Sequence, residues 1–504
     1  MHFRPIRNED INRLPGYHLP RFDFGGNAAV SCYKNRRKSG ISSRLVFCSP
    51  KNELSPALFH GKLYASMQQV NLGMVGGGTV GSGVFHALEL NGSLMASRIG
   101  VNVAIAKVAV KAVDKQRLIP RRFLTNNWRE VVENPNVQIV AELIGGTTIA
   151  REIILSALKL GKPVVTANKA LLSTHGEELF AAAKKFGANL YYEASVCGGI
   201  PIIKSLREGF VGNRISALYG IVNGTCNYIL TRMKLEGADF AEVLADAQRL
   251  GYAETPPDLD IDGHDAAHKI GILASLAHGF WVNPKNIYVE GIRNINALDI
   301  KFAGKLGYTI KLLAIVKKIE GQKTGRKNGC GVQVSVYPTL IPNSHVLASV
   351  NYAFNAVFVQ GDIVGNSLFY GRGAGKDATA SAVLSDLADA ALDLKFGNKH
   401  RVPPFVPHEC QGVVLPIEEA VSEYFVRLNV VDRPGVLAKI ATIFGESKIG
   451  ISSVIQPEGH EGKSVPLIFM LHHAPNGAAA RALKKIGNLP VVKGRPVMIR
   501  VENF

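Results

Sequence analysis

Val70–Val84 reads VNLGMVGGGTVGSGV, and this stretch decides the fold. Its first six residues are a short apolar run that stops in glycines, as a strand buried on both faces of a parallel sheet does. Gly76, Gly78 and Gly81 then stand as G-x-G-x-x-G, ahead of a helical stretch from Val80 to about Met95. The first glycine permits a tight turn, the second lets a pyrophosphate approach the backbone, and the third lets helix and strand pack closely. The phosphates would meet the helix N-terminus, whose unpaired N–H groups and dipole favour anions. Glycine-rich turns also serve plain packing, so the surrounding sequence has to supply the context.

Apolar runs recur downstream at Ala104–Val113 (AIAKVAVKAV), at Val137–Gly146 (VQIVAELIGG) and in PVVTANK, which ends at Lys169. A helix is predicted over Ala150–Leu160. Strands alternating with helices imply an α/β fold with a Rossmann-like, doubly wound parallel sheet. The ribose of a dinucleotide should meet the end of the second strand, where an acid favours NAD and a basic residue favours NADP. Lys111, Asp114, Lys115 and Arg117 gather there, a set that leans to NADP and leaves NAD open.

From Tyr191 to Val364 the pattern is mixed, as in an α+β domain. RISALYGIVNG reads as a strand, Asp239–Leu250 as a helix, and GHDAAHKIGILASLAHGF as a strongly apolar helix. KLLAIVKKI and GVQVSVYPTL read as strands joined by a lysine-rich turn. A helix from about Thr379 to Leu394 would dock back on the first domain. RVPPFVPHECQGVVLP reads as a Pro-rich linker. Beyond it the order strand–helix–strand–strand–helix–strand is ferredoxin-like. The expected divisions are a basic extension at 1–66, a nucleotide domain at 67–195 and a catalytic and dimerisation domain at 196–365. The returning helix then takes 366–400, the linker 401–420 and a small terminal domain 421–504.

The stretch richest in functional groups is Gly251–Lys269, GYAETPPDLDIDGHDAAHK, with Glu254, Asp258, Asp260, Asp262 and Asp265. Asp265 and Lys269 stand at i, i+4 and share a helix face. A surface ion pair of small energetic weight is the plain alternative. The apolar run after Lys269 instead suggests a helix buried at its far end, with its first turns opening into a cleft. A partly desolvated lysine there would titrate low enough to transfer protons. Lys169 follows the fourth strand, at the carboxyl end where doubly wound sheets bind ligands; a helix N-terminal surface lysine is the alternative.

The 504 residues suffice for about three domains, and 47% hydrophobic with 19% charged residues is ordinary globular composition. Part of the net charge of +18 comes from eleven Lys/Arg in residues 1–66. Aromatic residues such as Phe3, Phe22 and Tyr33 stand beside some of them, without the regular interleaving that a base-stacking platform requires. The expectation is a basic surface that attracts anionic substrates, without a nucleic-acid partner. Six cysteines lie far apart with no zinc-ligand spacing, which fits free thiols in a reducing cytoplasm. No apolar run approaches a membrane span, and the N-terminus lacks a secretory apolar core.

Taken together, GMVGGGTVGSGV, VAELIGG, VVTANKALL, YYEASVCGGIPII, GIVNGTCNYILTRM and the signature A-x-x-x-G-Y…D-x-D-G-x-D-x-x-x-K, from Ala247 to Lys269, resemble homoserine dehydrogenase. The resemblance covers about Val70 to Leu394, and the terminal domain resembles an ACT module. It implies NAD(P)-dependent interconversion of aspartate 4-semialdehyde and homoserine in threonine and methionine biosynthesis. Lys269 would be the general acid/base and Lys169 would assist beside nicotinamide and substrate. Glu254 and Asp265, with Asp260 and the Gly251 backbone, would hold the amino acid. Thr79 and Val80, with Gly76, Gly78 and Gly81, would cover the cofactor phosphates, Lys111 would lie by the ribose, and Gly373 and Gly375 would close from the other side.

The resemblance also implies a monovalent cation, usually sodium, on Glu193 and the carbonyls of Val196, Gly198 and Ile200. A buried carboxylate satisfied by backbone amides is the equal alternative for Glu193. The ACT module would take threonine as effector or serve oligomerisation alone, in a homodimer or homotetramer. Pro256, Lys111-Ala112 and Ala378 depart from the family pattern without removing a catalytic group. Two other functions compete. One is another amino-acid or semialdehyde dehydrogenase on the same scaffold, in which Cys197 or Cys226 as nucleophile would mark a phosphorylating semialdehyde enzyme. The other is a non-catalytic regulator that binds dinucleotide and amino acid.

Overall fold

The structure is a computed structural model that describes residues 67–319, 331–398, 401–409, 412–456 and 464–504. The basic extension 1–66 and most of the lysine-rich tract fall outside the described residues.

The apolar run at Val70 becomes β1 (Gln68–Val75), followed by α1 (Thr79–Ile99), β2 (Val101–Ala109) and β3 (Leu124–Thr125). Next come β4 (Ile139–Glu142), α2 (Ile149–Lys159), β5 (Val164–Thr166), α3 (Lys169–Phe186) and β6 (Leu190–Tyr191). These strands form one parallel sheet in the order β3-β2-β1-β4-β5-β6. The order reverses between β1 and β4, and there a doubly wound sheet opens a crevice at its carboxyl ends. β2 stops at Ala109 rather than running to Val113, so Lys111 lies beyond it, exposed. Alternation of small apolar and charged residues carried the expected strand too far.

The second part holds β7 (Ile215–Ile221), α4 (Gly224–Glu236), α5 (Phe240–Arg249), α6 (Asp258–Ile261) and α7 (His264–His278). β8 (Tyr288–Val289), α8 (Ala297–Lys305), β9 (Tyr308–Ile319), β10 (Gly331–Pro342), β11 (Phe354–Gly361) and β12 (Gly365–Arg372) follow. The expected boundary at 365 therefore meets a strand before it meets a helix. The returning helix α9 (Lys376–Lys395) comes after it and packs on the nucleotide sheet. Its Ala380, Val383, Leu387 and Ala391 share a core with Leu72, Met74 and Val84.

After the short β13 (Val413–Val414), the terminal piece comprises β14 (Val421–Val431), α10 (Val436–Glu446), β15 (Ile451–Ile455), β16 (Ser464–Pro475), α11 (Asn476–Gly487) and β17 (Val497–Val501). Its strand order, β17-β14-β16-β15, is ferredoxin-like. Ile440 and Phe444 of α10 and Ala482 and Ile486 of α11 cover one face of this sheet.

This piece is not tethered loosely. β17 pairs with β10, Thr339 opposite Arg500 and Leu340 opposite Val501, so an 11-stranded sheet runs through both parts. Arg427 meets Asp299 of α8 in a buried pair at 2.6 and 3.2 Å. The expected linker is likewise packed. The Tyr192 hydroxyl donates to the Pro404 carbonyl, and Phe405 lies 5.8 Å from the rings of both Phe180 and Trp281. A proline-rich stretch reads as a spacer because proline disfavours regular structure, yet aromatic burial can pin it.

Candidate active site

At the carboxyl ends of β4 and β5 lies a cleft of about 390 Å³. The nucleotide domain contributes Val80, Glu142, Ile144–Gly146, Asn168 and Lys169 to it, and the second domain contributes Glu254, Asp260, Asp265 and His268. Residues separated by more than a hundred positions thus face one space. Of the glycine loop and its flank, Val80 reaches the cleft wall; Gly251, Gly373 and Gly375 do not.

The glycine loop has the geometry expected of it. Gly76 has φ +118°, and a Cβ there would lie 2.5 Å from the Leu143 carbonyl oxygen. A Cβ on Gly81 would overlap the Gly76 carbonyl, whereas one on Gly78 would meet nothing within 4 Å. Two glycines are demanded by backbone packing, and the middle one leaves open space at the start of α1. A β-carbon at the neighbouring Gly77 would lie 3.7 Å from Arg117 Cδ. Arg117 itself donates to the carbonyls of Ala112 and Lys115, while the nearby acid Asp114 is paired with Arg121 at 3.0 Å.

Glu142, wholly buried at the end of β4, pins the adjoining turn. Its Oε1 accepts from the Ile144 and Gly145 amides at 2.9 and 3.2 Å, and its Oε2 from the Thr166 hydroxyl at 2.7 Å. Asn168 caps α3 by accepting from the Leu171 amide, and donates to the Gly146 carbonyl at 2.7 Å. That cap places Lys169 at the mouth of the cleft.

Opposite stands Asp265, between two lysines. Its Oδ1 lies 2.9 Å from Lys169 Nζ, and its Oδ2 accepts from Lys269 Nζ at 2.7 Å. Lys269 also donates to the Val222 carbonyl at 2.6 Å. Asp265 and Lys269 are 8% and 7% exposed, so this is no surface pair. Burial by itself disfavours both charges. For Lys269 the lowering effect of burial is outweighed by Asp265, and its pKa is raised. For Asp265 burial is outweighed by Lys269 and then Lys169, and its carboxyl is held far below the usual range. The expectation of a low-titrating Lys269 is therefore wrong. It is a committed ammonium, because its carboxylate partner is as buried as it is.

Sequence reasoning did not find Asn223 and Thr225. The Asn223 amide donates to Asp260 Oδ1 at 2.8 Å and to Asp265 Oδ2 at 2.9 Å, while its oxygen caps α4 through the Cys226 amide. Thr225 donates to the Tyr252 carbonyl at 2.5 Å and lies 3.3 Å from Asp260 Oδ2. An Asn ahead of a helix after a strand is a visible capping signal; its acid partners are 37 and 42 residues away.

Both described cysteines are buried, and burial pushes both thiols upward. A protonated, enclosed thiol is a poor nucleophile, which argues against the cysteine-based rival.

Glu193 is 4% exposed. Its two oxygens accept from the Ile203 and Lys204 amides at 2.9 and 2.7 Å, and burial pushes its pKa up to about 7. Its own amide donates to Asp386, whose carboxyl burial also raises. Among the described residues no group of three or more His, Cys, Asp or Glu could hold a metal. A cation at Glu193 would therefore rest on one carboxylate and main-chain oxygens. A buried acid whose pKa burial raises is compatible with that donor set, and its two amide bonds fit the alternative equally. The turn it supports meets the loop at 373: the Gly199 amide donates to the Arg372 carbonyl at 2.9 Å.

Residues 76–193 match the family described as homoserine dehydrogenase, NAD binding domain, residues 201–388 match homoserine dehydrogenase, and residues 424–488 match the ACT domain. The homoserine dehydrogenase of Pseudomonas aeruginosa is 42% identical over 442 residues, 87% of this chain and all of the relative. A crystal structure of a homoserine dehydrogenase from Thiobacillus denitrificans superposes with a TM-score of 0.80 at 42% identity, covering 86% of this chain and 99% of that one. A hyperthermophilic archaeal homoserine dehydrogenase in complex with NADPH matches with a TM-score of 0.54 at 26% identity, over 65% of this chain and 98% of that one.

Proposed function

The chain belongs to the homoserine dehydrogenase family, and on that premise we propose which of its residues carry the reaction. It is an NAD(P)-dependent oxidoreductase that interconverts L-aspartate 4-semialdehyde and L-homoserine. The nicotinamide nucleotide, when bound, supplies or takes up the hydride. Lys269 gives its proton to the aldehyde oxygen in the reducing direction and takes it back in the other. As an ammonium it also offsets the negative charge that grows on that oxygen. Asp265 keeps Lys269 charged and aimed, rather than meeting the substrate ammonium. Its oxygens are already occupied by two lysines and Asn223. Glu254 and Asp260 are the acids left to hold the amino group, and Lys169 lies nearest the nucleotide side. The observation that carries this reading is Asp265 held between Lys169 and Lys269 on the cleft that Val80 also lines.

The experiment is direct. Purified protein with L-homoserine and either NAD or NADP should raise nicotinamide absorbance; no homoserine-dependent change would reject the assignment. NADP is the preferred nucleotide, supported by Arg117, whose aliphatic stem lies beside Gly77 of the glycine loop, and by the pairing of the lone local acid, Asp114, with Arg121. Arg117→Ala should then lower kcat/KM for NADP about tenfold while barely affecting NAD, the scale of one charged contact.

Glu193 with the carbonyls of Val196, Gly198 and Ile200 would hold a sodium ion, which supplies positive charge that braces this turn. Equal melting temperatures in sodium and choline chloride would count against it. Threonine acts at the ACT domain of a homodimer or homotetramer in the cytoplasm. Turnover with and without threonine, and light scattering, test the effector and the assembly. No described helix is long and apolar enough to cross a membrane.

A further inference from the structure

The long sheet splits at β10. Ser335 and Val336 pair with Tyr288 and Val289 of β8, whereas Thr339 and Leu340 pair with Arg500 and Val501 of β17. β8 and β17 therefore occupy the same edge of β10 and diverge from it. Between them opens a cleft of about 1000 Å³, roofed by α11. It is separate from the cleft lined by Lys169 and Asp265.

The charge of this space is one-sided. Arg427, Lys484, Arg495 and Arg500 line it against a single acid, Glu290. Arg427 and Arg500 are 7% and 2% exposed, and both are fixed. Arg427 commits Nε and Nη2 to Asp299. Arg500 donates to Asn476 and Glu290, each at 3.0 Å, and lies 4.4 Å over the Tyr337 ring. Among the described residues Lys484 and Arg495 have no ion-pair partner. Two rigid buried cations behind two unpaired ones make a site for a negative group, since charge-assisted hydrogen bonds strengthen where water is excluded.

The wall of this cleft continues into the catalytic acids. After Glu290, the Gly291 backbone lies so close to Ile261 and Asp262 that a Cβ would clash. The Ile292 amide donates to the Ile261 carbonyl at 2.8 Å. Arg293 pairs with Asp258 and Asp262, flanking Asp260, which Asn223 ties to Asp265. The steps are hydrogen bonds, ion pairs and close contacts, joined by the short chain segments 290–293 and 258–262.

We propose that the cleft between β8 and β17 binds a small anion bearing a carboxylate or phosphate group, and that segment 290–293 passes its occupancy to Asp260. The inference names a place and a charge class, and it stands whether or not threonine is the effector. Binding is read apart from turnover, so its failure leaves the dehydrogenase assignment untouched.

The test is calorimetry on the full chain with inorganic phosphate, glycine and L-threonine in turn, at ionic strength held constant with chloride. At least one should bind saturably and shift kcat or the KM for homoserine. The double variant Lys484→Ala/Arg495→Ala should keep basal turnover and lose about a hundredfold in affinity, tenfold per charged contact. Binding by phosphate alone assigns a phosphoryl ligand. Binding by the amino acids alone assigns a carboxylate whose ammonium meets Glu290. No saturable binding by any of the three, or binding that the double variant retains, overturns the site. Arg293→Ala should keep binding and lose the kinetic response; a response that persists overturns the route.

Discussion

Among the described residues two lysines lie buried in the second domain, and their surroundings push their protonation in opposite directions. Lys269 is 7% exposed and Lys311, on β9, is 1% exposed. Lys269 has a carboxylate at 2.7 Å and is held protonated. Lys311 meets only neutral acceptors, Asn227 Oδ1 at 2.9 Å, the Val350 carbonyl at 2.5 Å and Asn351 Oδ1 at 3.4 Å. Burial, with Lys234 as a nearby like charge, pushes its pKa down to about 7. Desolvation acts on both, and the charged partner decides the outcome. The comparison separates two ideas that are easily merged. A buried lysine need not be a neutral base, and the one at this active site is a stored proton donor.

The largest test of that contrast is Lys269→Met. It should lower kcat about a thousandfold while leaving the cofactor KM nearly unchanged, as for the loss of a general acid. Steady-state kinetics with each substrate varied would show it, and full turnover would remove Lys269 from the mechanism. Asp265→Asn should cost about a hundredfold and should also move the pH profile. Without the carboxylate, the lowering effect of burial on Lys269 is opposed only by the smaller contributions of Cys197 and Asp260, so the limb where its proton is lost should shift to lower pH. A fixed profile would mean that Asp265 does not hold the ammonium charged.

Lys311 gives a smaller effect of opposite character. Its folded pKa lies below its unfolded value, so the unfolded chain binds more protons between about pH 7 and the usual lysine range. Stability should therefore rise with pH through that window, by up to about 1.4 kcal/mol per pH unit. The stabilising increment is absent below pH 7. Urea midpoints of wild type and Lys311→Met at pH 7 and pH 9 would isolate the slope. A difference that does not change with pH would make Lys311 as firmly charged as Lys269. The smallest effect belongs to Cys197→Ser. The Cys197 thiol contributes to the surroundings of Lys269, but less than Asp265 does. Turnover should stay essentially unchanged, and its collapse would revive the cysteine-based rival.

Much of the nucleotide half was legible in the sequence. The glycines at 76, 78 and 81 and the apolar runs on either side are local patterns set by backbone sterics and strand burial. The Asp265–Lys269 spacing is equally local, being one helical turn. Asn223 was not legible, because its role is to bridge two acids that chain order keeps apart. The strap at 401–408 was misread for a related reason: its composition describes the chain, whereas Phe180, Trp281 and Tyr192 describe where it lies.

By itself the sequence determined the alternation of strands and helices in the nucleotide half and in the terminal domain, the glycine turn, the family, and which lysine and aspartate share a helix face. The tertiary structure alone decided that Lys269 is held protonated while Lys311 gives up its proton more readily, that the terminal domain shares a sheet with the domain before it, and that a second cationic cleft opens where that sheet divides. The physical reason is range. Hydrophobic period and turn chemistry act over a few residues, whereas a protonation state or a strand pairing depends on whichever groups the folded chain brings within a few ångströms.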